Sequence, residues 1–288
     1  MSEILIKDQD FQSLKGKVVI VTGGSSGIGL ATVELLLANG AVVVNADLIA
    51  PATSPSGSYT FIQTDVTSWP QLNALFKKTK AQHSRIDHVF LNAGLGPRTD
   101  YLATDVDENG DLKEPPTTLL DVSLKGVMNT GTLAIYYMRQ QPEGGSIVVN
   151  ASVMGIQRCR AVDYATAKGA VYAYARGLHP LLASASIPIR VNTLAPTWAE
   201  SAVLPGMREL MDKLGVELQP ASAVARAAAL LMADSSRNGQ AIHVQCGKYQ
   251  EIDEAVLFPA VDKIRGLNYP SEDEVLRRAL TVLGGGEA

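Results

Sequence analysis

Val18-Val19-Ile20-Val21-Thr22-Gly23-Gly24-Ser25-Ser26-Gly27-Ile28-Gly29 decides how the rest of the chain is read. A β-branched run feeds a glycine-rich turn, and a helical pattern over Ile28–Asn39 follows it. Glycines at 23, 27 and 29 give the spacing GxxxGxG, a relative of the GxGxxG fingerprint of dinucleotide binding. In such a turn the missing side chains let backbone approach a pyrophosphate, whose charge then faces a helix N-terminus. Contacts are therefore expected from Gly23, Ser25, Ser26, Gly27, Ile28 and Gly29. Glycine also punctuates ordinary loops, so the weight comes from the position between a strand and a helix.

Outward from this turn the same alternation recurs. Strand patterns fall at Lys17–Val21, Ala41–Ala46, Tyr59–Gln63, His88–Leu91, Ser146–Asn150, Ile189–Thr193 and Ala241–Val244. Helical patterns cover Ile28–Asn39, Trp69–His83, Thr118–Gln141, Asp163–Ala183 and Ala221–Ala233. The strands are nearly continuous in Val, Ile and Leu, as expected where helices cover both faces of a parallel sheet. This order predicts one α/β domain over residues 1–250, a doubly wound sheet of seven parallel strands flanked by helices. Residues 251–288 read as a helical C-terminal extension, Glu251–Val261 and Glu272–Leu283, packing on the domain or on a partner subunit. Pro51–Ser58 is a surface loop. Leu95–Pro116, with Asp100, Asp105, Asp107, Glu108 and Asp111, has no clear periodicity and reads either as a solvated loop or as a flap over the cleft.

Bulk properties narrow the class. Of 288 residues, 46% are hydrophobic and 19% charged, which fits a globular chain with a substantial core. A net charge of −4 argues against a partner that is nucleic acid. The segment Met1-Ser2-Glu3-Ile4 lacks the pattern of a secretory signal, and no apolar run reaches bilayer length. A cytoplasmic protein without membrane association is expected. Cys159 and Cys246 have no CxxC spacing, and His83, His88, His179 and His243 are scattered, so neither a disulfide framework nor a metal site is expected.

The second strand pattern runs into Asp47, eighteen residues after Gly29. A carboxylate there can accept hydrogen bonds from ribose hydroxyls and would repel a 2′-phosphate. Ser25, Ser26 and Leu48 offer no positive charge to hold such a phosphate, so NAD is expected as the cofactor rather than NADP. Asp65-Val66 and Asn92-Ala93-Gly94 close the third and fourth strands as further cofactor contacts.

Tyr164 and Lys168 are four residues apart, hence on one face of a helix. A free phenol is a poor base at neutral pH, and a nearby ammonium lowers its pKa. Tyr164 can then take a proton from an alcohol or return it to a ketone. Ser152, just past a strand end, can bond the substrate oxygen. Asp163 reads as the helix N-cap.

Taken together, Thr22–Gly29, Asp47, Asp65-Val66, Asn92-Ala93-Gly94, Ser152, Tyr164-Ala165-Thr166-Ala167-Lys168 and Arg190-Val191-Asn192 through Pro196 resemble the short-chain dehydrogenase/reductase family, of the NAD-preferring kind. The chain is similar to its hydroxysteroid-dehydrogenase-like and 15-hydroxyprostaglandin-dehydrogenase-like members. The resemblance implies a Rossmann-type fold, a catalytic set of Ser152, Tyr164 and Lys168, and Lys168 bonded to the nicotinamide ribose. It also implies cofactor contacts from Pro196, Thr197 and Trp198. Departures are visible. Ser123 stands in Asp121-Val122-Ser123-Leu124-Lys125-Gly126 where the family commonly has an asparagine serving a proton relay. Thr197-Trp198 replaces a usual glycine, and a terminal Asp-Gly-Gly signature is reduced to Cys246-Gly247.

The function expected is NAD-dependent interconversion of a secondary alcohol and a ketone. Val153, Met154, Gln157, Trp198 and Met207 are candidate pocket residues, and their apolar bias points to a bulky hydrophobic substrate of steroid, terpenoid, fatty-acid or polyketide type. No basic anchor is evident among them, which points away from phosphorylated or CoA-linked substrates. The rival readings are a non-redox cyclase, isomerase or sensor on the same fold, and a structural subunit paired with an active homologue. A homodimer or homotetramer, packed through the helices from Thr118 and Asp163, is expected from the resemblance and the prevalence of symmetric oligomers.

Overall fold

The structure is a computed structural model that describes residues 3–201, 206–266 and 269–283. One eight-stranded sheet organises them. Its strands are β1 (Val18–Thr22), β2 (Val42–Asp47), β3 (Tyr59–Gln63), β4 (His88–Leu91), β5 (Gly145–Asn150), β6 (Ile189–Pro196), β7 (Ala241–Gln245) and β8 (Lys248–Glu251). The spatial order is β3-β2-β1-β4-β5-β6-β7-β8, with every pair parallel except the last. The chain moves outward from β1 through β3, then returns to β4 on the other side of β1. That reversal opens a crevice at the C-terminal ends of β1 and β4, where doubly wound sheets bind ligands.

Successive strand side chains point to opposite faces, and both faces are dry. Ile20, Val44, Val89 and Val149 face a core shared with α2 (Trp69–His83), α4 (Val127–Met138) and α5 (Val162–Ser184). Val19, Val21, Val43 and Val148 face the other core, with α1 (Gly27–Ala38) and α7 (Ala221–Ala233). Covering both faces is why the strands show no polar alternation.

The eighth strand corrects the expected seven. Cys246 and Gly247 both take positive φ, 47° and 74°, and reverse the chain so that Gln245 pairs with Lys248. Two consecutive left-handed residues make the tight turn that favours a hairpin. The expected helix Glu251–Val261 is corrected with it. Lys248–Glu251 is strand, and the helix starts at a π segment, Asp253–Leu257, continuing as α8 (Phe258–Arg265). The other tail helix is α9 (Glu272–Val282), while residues 267–268 and 284–288 of the extension lie outside the described residues.

Three short helices without a sequence expectation complete the frame: 3-10 helices at Asp8–Leu14 and Val153–Gly155, and α6 (Met207–Leu214). The expected helix from Thr118 is compound. A single turn, α3 (Thr118–Leu120), passes through a π segment, Asp121–Gly126, into α4. Among the described residues no helix is long and apolar enough to cross a membrane.

Candidate active site

The glycine turn is built by steric exclusion. Gly23 and Gly27 have φ of 66° and 50°, which L side chains rarely adopt. A Cβ on Gly29 would lie 2.0 Å from the Gly23 carbonyl oxygen, so the first turn of α1 packs directly on the end of β1. Gly24, outside the GxxxGxG pattern, is just as constrained: a Cβ there would meet Asn45 Oδ1 at 2.4 Å. Ser26 precedes α1 in extended conformation, and its side chain makes no capping bond. The first backbone N–H groups of α1 are thus left to a ligand, and they favour an anion.

Asp47 closes β2 beside this turn. Its carboxylate accepts from Ser25 N at 3.0 Å and from Leu48 N at 2.7 Å. Asp65 is similarly tied down, accepting from Thr67 N at 2.8 Å and Thr67 Oγ1 at 2.7 Å. Across the crevice, Thr22 Oγ1 accepts from Asn92 N and Ala93 N, and Asn92 Nδ2 donates to the carbonyls of Thr22 and Gly23. Asn150 Nδ2 donates to Asn92 Oδ1 at 2.9 Å, and the Asn150 carbonyl accepts from Lys168 Nζ at 2.7 Å. A continuous hydrogen-bonded path therefore runs from the glycine turn to Lys168.

α5 carries Tyr164 and Lys168 on one face, with the Lys168 ammonium 5.7 Å from the Tyr164 ring centroid. Ser152 is buried behind the end of β5, accepting from Met154 N at 3.2 Å and donating to the Pro196 carbonyl at 3.4 Å. Burial pushes the Tyr164 phenol above its ordinary value, although a hydrogen bond with Ser152 pulls the other way. In the protein alone the phenol's net shift is upward, not the lowering expected from the ammonium. Burial has instead taken Lys168 itself down to about 8. Both shifts follow from desolvation, which disfavours the charged form of each group.

Asp163 is corrected from helix cap to anchor. The cap position is Ala161, and Asp163 sits in the first turn of α5, buried. Its Oδ2 accepts from Arg98 N at 2.9 Å and Thr99 N at 3.1 Å, and Oδ1 accepts from Tyr164 N at 2.8 Å. Burial pushes this carboxyl up, but the bonds from Arg98, Tyr164 and Thr99 outweigh it and hold it below its ordinary value. The start of the 95–116 loop is thereby pinned to the helix that bears Tyr164. Leu95 and Pro97 reach the cleft, whereas residues 101–117 are exposed to solvent. Ser123 lies in the π segment, fully buried, and accepts from Leu95 N at 3.0 Å.

One cavity of about 830 Å³ collects these groups. It is lined by Gly23, Ser26, Gly27, Ile28, Asp47, Leu48, Asp65, Val66, Asn92, Ala93 and Gly94 at one end. At the other lie Ser152, Val153, Met154, Gln157, Tyr164, Lys168, Pro196, Thr197, Trp198 and Met207. Ser25, Gly29 and Ser123 stand behind the wall: Ser25 through its amide to Asp47, Gly29 by packing, Ser123 through its bond to Leu95. The wall also contains Arg158 and Arg160, which corrects the expectation that no basic group borders the substrate end. The arginines and Asn150 were visible as residues, but nothing in the spacing showed that the 153–161 segment folds over the cleft.

A switch-point crevice with an uncapped helix start and a glycine turn defines the class as dinucleotide-binding α/β proteins. The short chain dehydrogenase family matches residues 17–212. The chain is 49% identical to the short-chain dehydrogenase/reductase ascJ of Acremonium egyptiacum, over 99% of this chain and 97% of that one. It is 36% identical to a 5-hydroxy-7a-methyl-1-oxo-hexahydro-indene-carboxyl-CoA reductase of Mycobacterium tuberculosis, covering 81% and 93%. A short-chain type dehydrogenase/reductase from Mycobacterium marinum superposes with a TM-score of 0.71 at 23% identity, over 84% of this chain and 98% of that one, a likeness of fold. The chain belongs to the short-chain dehydrogenase/reductase family. It is an oxidoreductase that works on small molecules with a nicotinamide dinucleotide.

Proposed function

We propose that this protein interconverts a secondary alcohol and a ketone with NAD, on a bulky and mostly hydrophobic substrate. The observation that carries the proposal is the convergence of Ser152, Tyr164 and Lys168 on the cavity that the glycine turn opens into. The turn, the uncapped start of α1 and the anchored Asp47 carboxylate fit a dinucleotide, and a carboxylate with no ion-pair partner among the described residues fits an unphosphorylated ribose. When bound, the nicotinamide accepts a hydride from the carbinol carbon or returns one to the carbonyl carbon.

The residues of the chain do the rest. Tyr164 Oη takes the carbinol proton as the hydride leaves, or donates a proton to the carbonyl oxygen in reverse. Ser152 holds that same oxygen and stabilises charge developing on it. Lys168, fixed by the Asn150 carbonyl, presents its ammonium to the nicotinamide ribose and to the phenol. Gly23, Ser26, Ile28, Asp65, Val66, Asn92, Ala93, Gly94, Pro196 and Thr197 hold the dinucleotide; Val153, Met154, Gln157, Trp198 and Met207 surround the substrate. Ser123 supports the site from behind and stands where a relay water would be held.

Relatives support the substrate class: the reductase of Mycobacterium tuberculosis is named for a fused-ring acyl-CoA, and a 31% identical relative in Dothistroma septosporum is a 5′-hydroxyaverantin dehydrogenase. Residues 1–250 would form the catalytic unit and 251–288 an appended helical extension, in a cytoplasmic homodimer or homotetramer. The test is NADH formation from NAD and a panel of fused-ring and long-chain secondary alcohols. The expected result is turnover with NAD and far less with NADP. Dinucleotide binding without turnover of any alcohol or ketone would contradict the proposal.

A further inference from the structure

Arg158 and Arg160 both line the cavity, in the segment between Ser152 and Tyr164. Cys159, between them, is close enough to the phenol to bear on its ionisation. Among the described residues neither guanidinium has an ion-pair or hydrogen-bond partner. Two carboxylates next to lining residues in sequence are occupied. Asp163 is buried on the amides of Arg98, Thr99 and Tyr164, and Glu200 is paired with Arg208.

Charge is distributed unevenly along the cavity. Its two lining carboxylates, Asp47 and Asp65, follow β2 and β3. The two arginines follow β5, on the far side of β1 and β4 from those carboxylates. The dinucleotide's glycine turn lies on β1, so the arginines belong to the substrate end. Both arginines are exposed, at the rim of the cavity, whose lining here also includes Val153, Met154, Trp198 and Met207 beside the polar Gln157 and Thr197. A largely apolar cavity with two unneutralised guanidiniums at its exposed rim is complementary to a hydrophobic molecule with an anionic head, because guanidinium pairs with carboxylate or phosphate through two parallel hydrogen bonds.

We infer that Arg158 and Arg160 select substrates whose hydrophobic body carries an acidic group, a carboxylate or a phosphoester, held away from the carbinol that reacts at Tyr164. This rests on the proposed alcohol–ketone reading for what happens at Tyr164, but binding of the acidic head can be measured without turnover.

The experiment follows Trp198 fluorescence in a Trp69→Phe background, with saturating NAD, on titration with dodecanoate, dodecyl phosphate and methyl dodecanoate below their micellar concentrations. One or both anions should bind about tenfold more tightly than the neutral ester, and the difference should shrink as salt screens the rim. The double variant R158Q/R160Q should bind the ester as before and lose the preference. The proposal is overturned when wild-type protein binds ester and anions alike, or when the double variant keeps the preference. Preference for dodecanoate alone assigns the head to a carboxylate, and preference for dodecyl phosphate alone to a phosphoester. In parallel, lithocholate and its methyl ester are offered as substrates. A preference for anions without oxidation of either steroid keeps the anion site and counts against the alcohol reading; oxidation of both without preference does the reverse.

Discussion

The Lys168 ammonium donates to the main-chain carbonyl of Asn150 at 2.7 Å, joining the second turn of α5 to the last residue of β5. Asn150 is bound in turn to Asn92, and Asn92 to the carbonyls of Thr22 and Gly23. The group that would contact the nicotinamide ribose and the turn that would contact the pyrophosphate therefore share one rigid scaffold. Such pre-positioning matters because an ångström of misplacement in a reacting group can cost about 10²-fold in rate. Asn150 and Asn92 act as positioning residues in this arrangement, with no reacting atom of their own.

The pH dependence of alcohol oxidation should reveal Ser152. Alcohol oxidation needs the phenolate, burial has raised the Tyr164 pKa, and the Ser152 hydroxyl opposes that rise when it turns from its long bond to the Pro196 carbonyl and donates to the phenol oxygen. Activity should thus climb with pH, and Ser152→Ala should move the rising limb to higher pH. It should also lower kcat by about 10²–10³-fold, as loss of a donor to a developing oxyanion does. Rate profiles of both proteins with a saturating alcohol check this; an unmoved limb would remove Ser152 from contact with the phenol.

Cofactor choice should follow Asp47. Exchanging its negative charge for a neutral acceptor and adding a cation, Asp47→Ser with Leu48→Arg, should shift the ratio of kcat/KM for NADP over NAD by about 10- to 100-fold. The serine retains an acceptor for Ser25 N, so the turn should keep its shape. Steady-state kinetics with both dinucleotides measure the ratio, and an unchanged ratio would place the ribose elsewhere.

Asp163 should act through the loop it holds. Asp163→Ala strands the amides of Arg98 and Thr99, an expected loss of about 1–3 kcal/mol of stability in urea unfolding. The carboxyl is held below its ordinary value of 3.8, so the wild-type advantage should be full above pH 3.8 and fade as pH falls through the lowered folded value. Limited proteolysis should cut residues 95–116 faster in the variant. Equal cleavage of the two proteins would show that the loop is held by other contacts.

Much of this molecule was legible in its sequence. Strand runs such as Val18–Val21 and Ser146–Asn150 are readable because both of their faces are buried, which leaves an unbroken apolar signal. The glycine turn and the four-residue spacing of Tyr164 and Lys168 were readable because one backbone conformation and one helix face tolerate few alternatives. What escaped depends on tertiary surroundings. β8 hangs on positive φ at Cys246, a residue type that gives no turn signal. The π segment at Asp121–Gly126 places Ser123 under the Leu95 amide, yet by periodicity it reads as ordinary helix. The elevated phenol and the lowered lysine arise from burial in a shared wall, which residue spacing does not report.

Replacing Tyr164 with phenylalanine tests the centre of the account most directly, since it deletes the proton-transferring oxygen and little else. Purified Y164F should bind NAD as the wild type does, by calorimetry, while kcat for alcohol oxidation falls by about 10²–10⁴-fold. An equally folded variant with wild-type turnover would contradict the role assigned to that phenol.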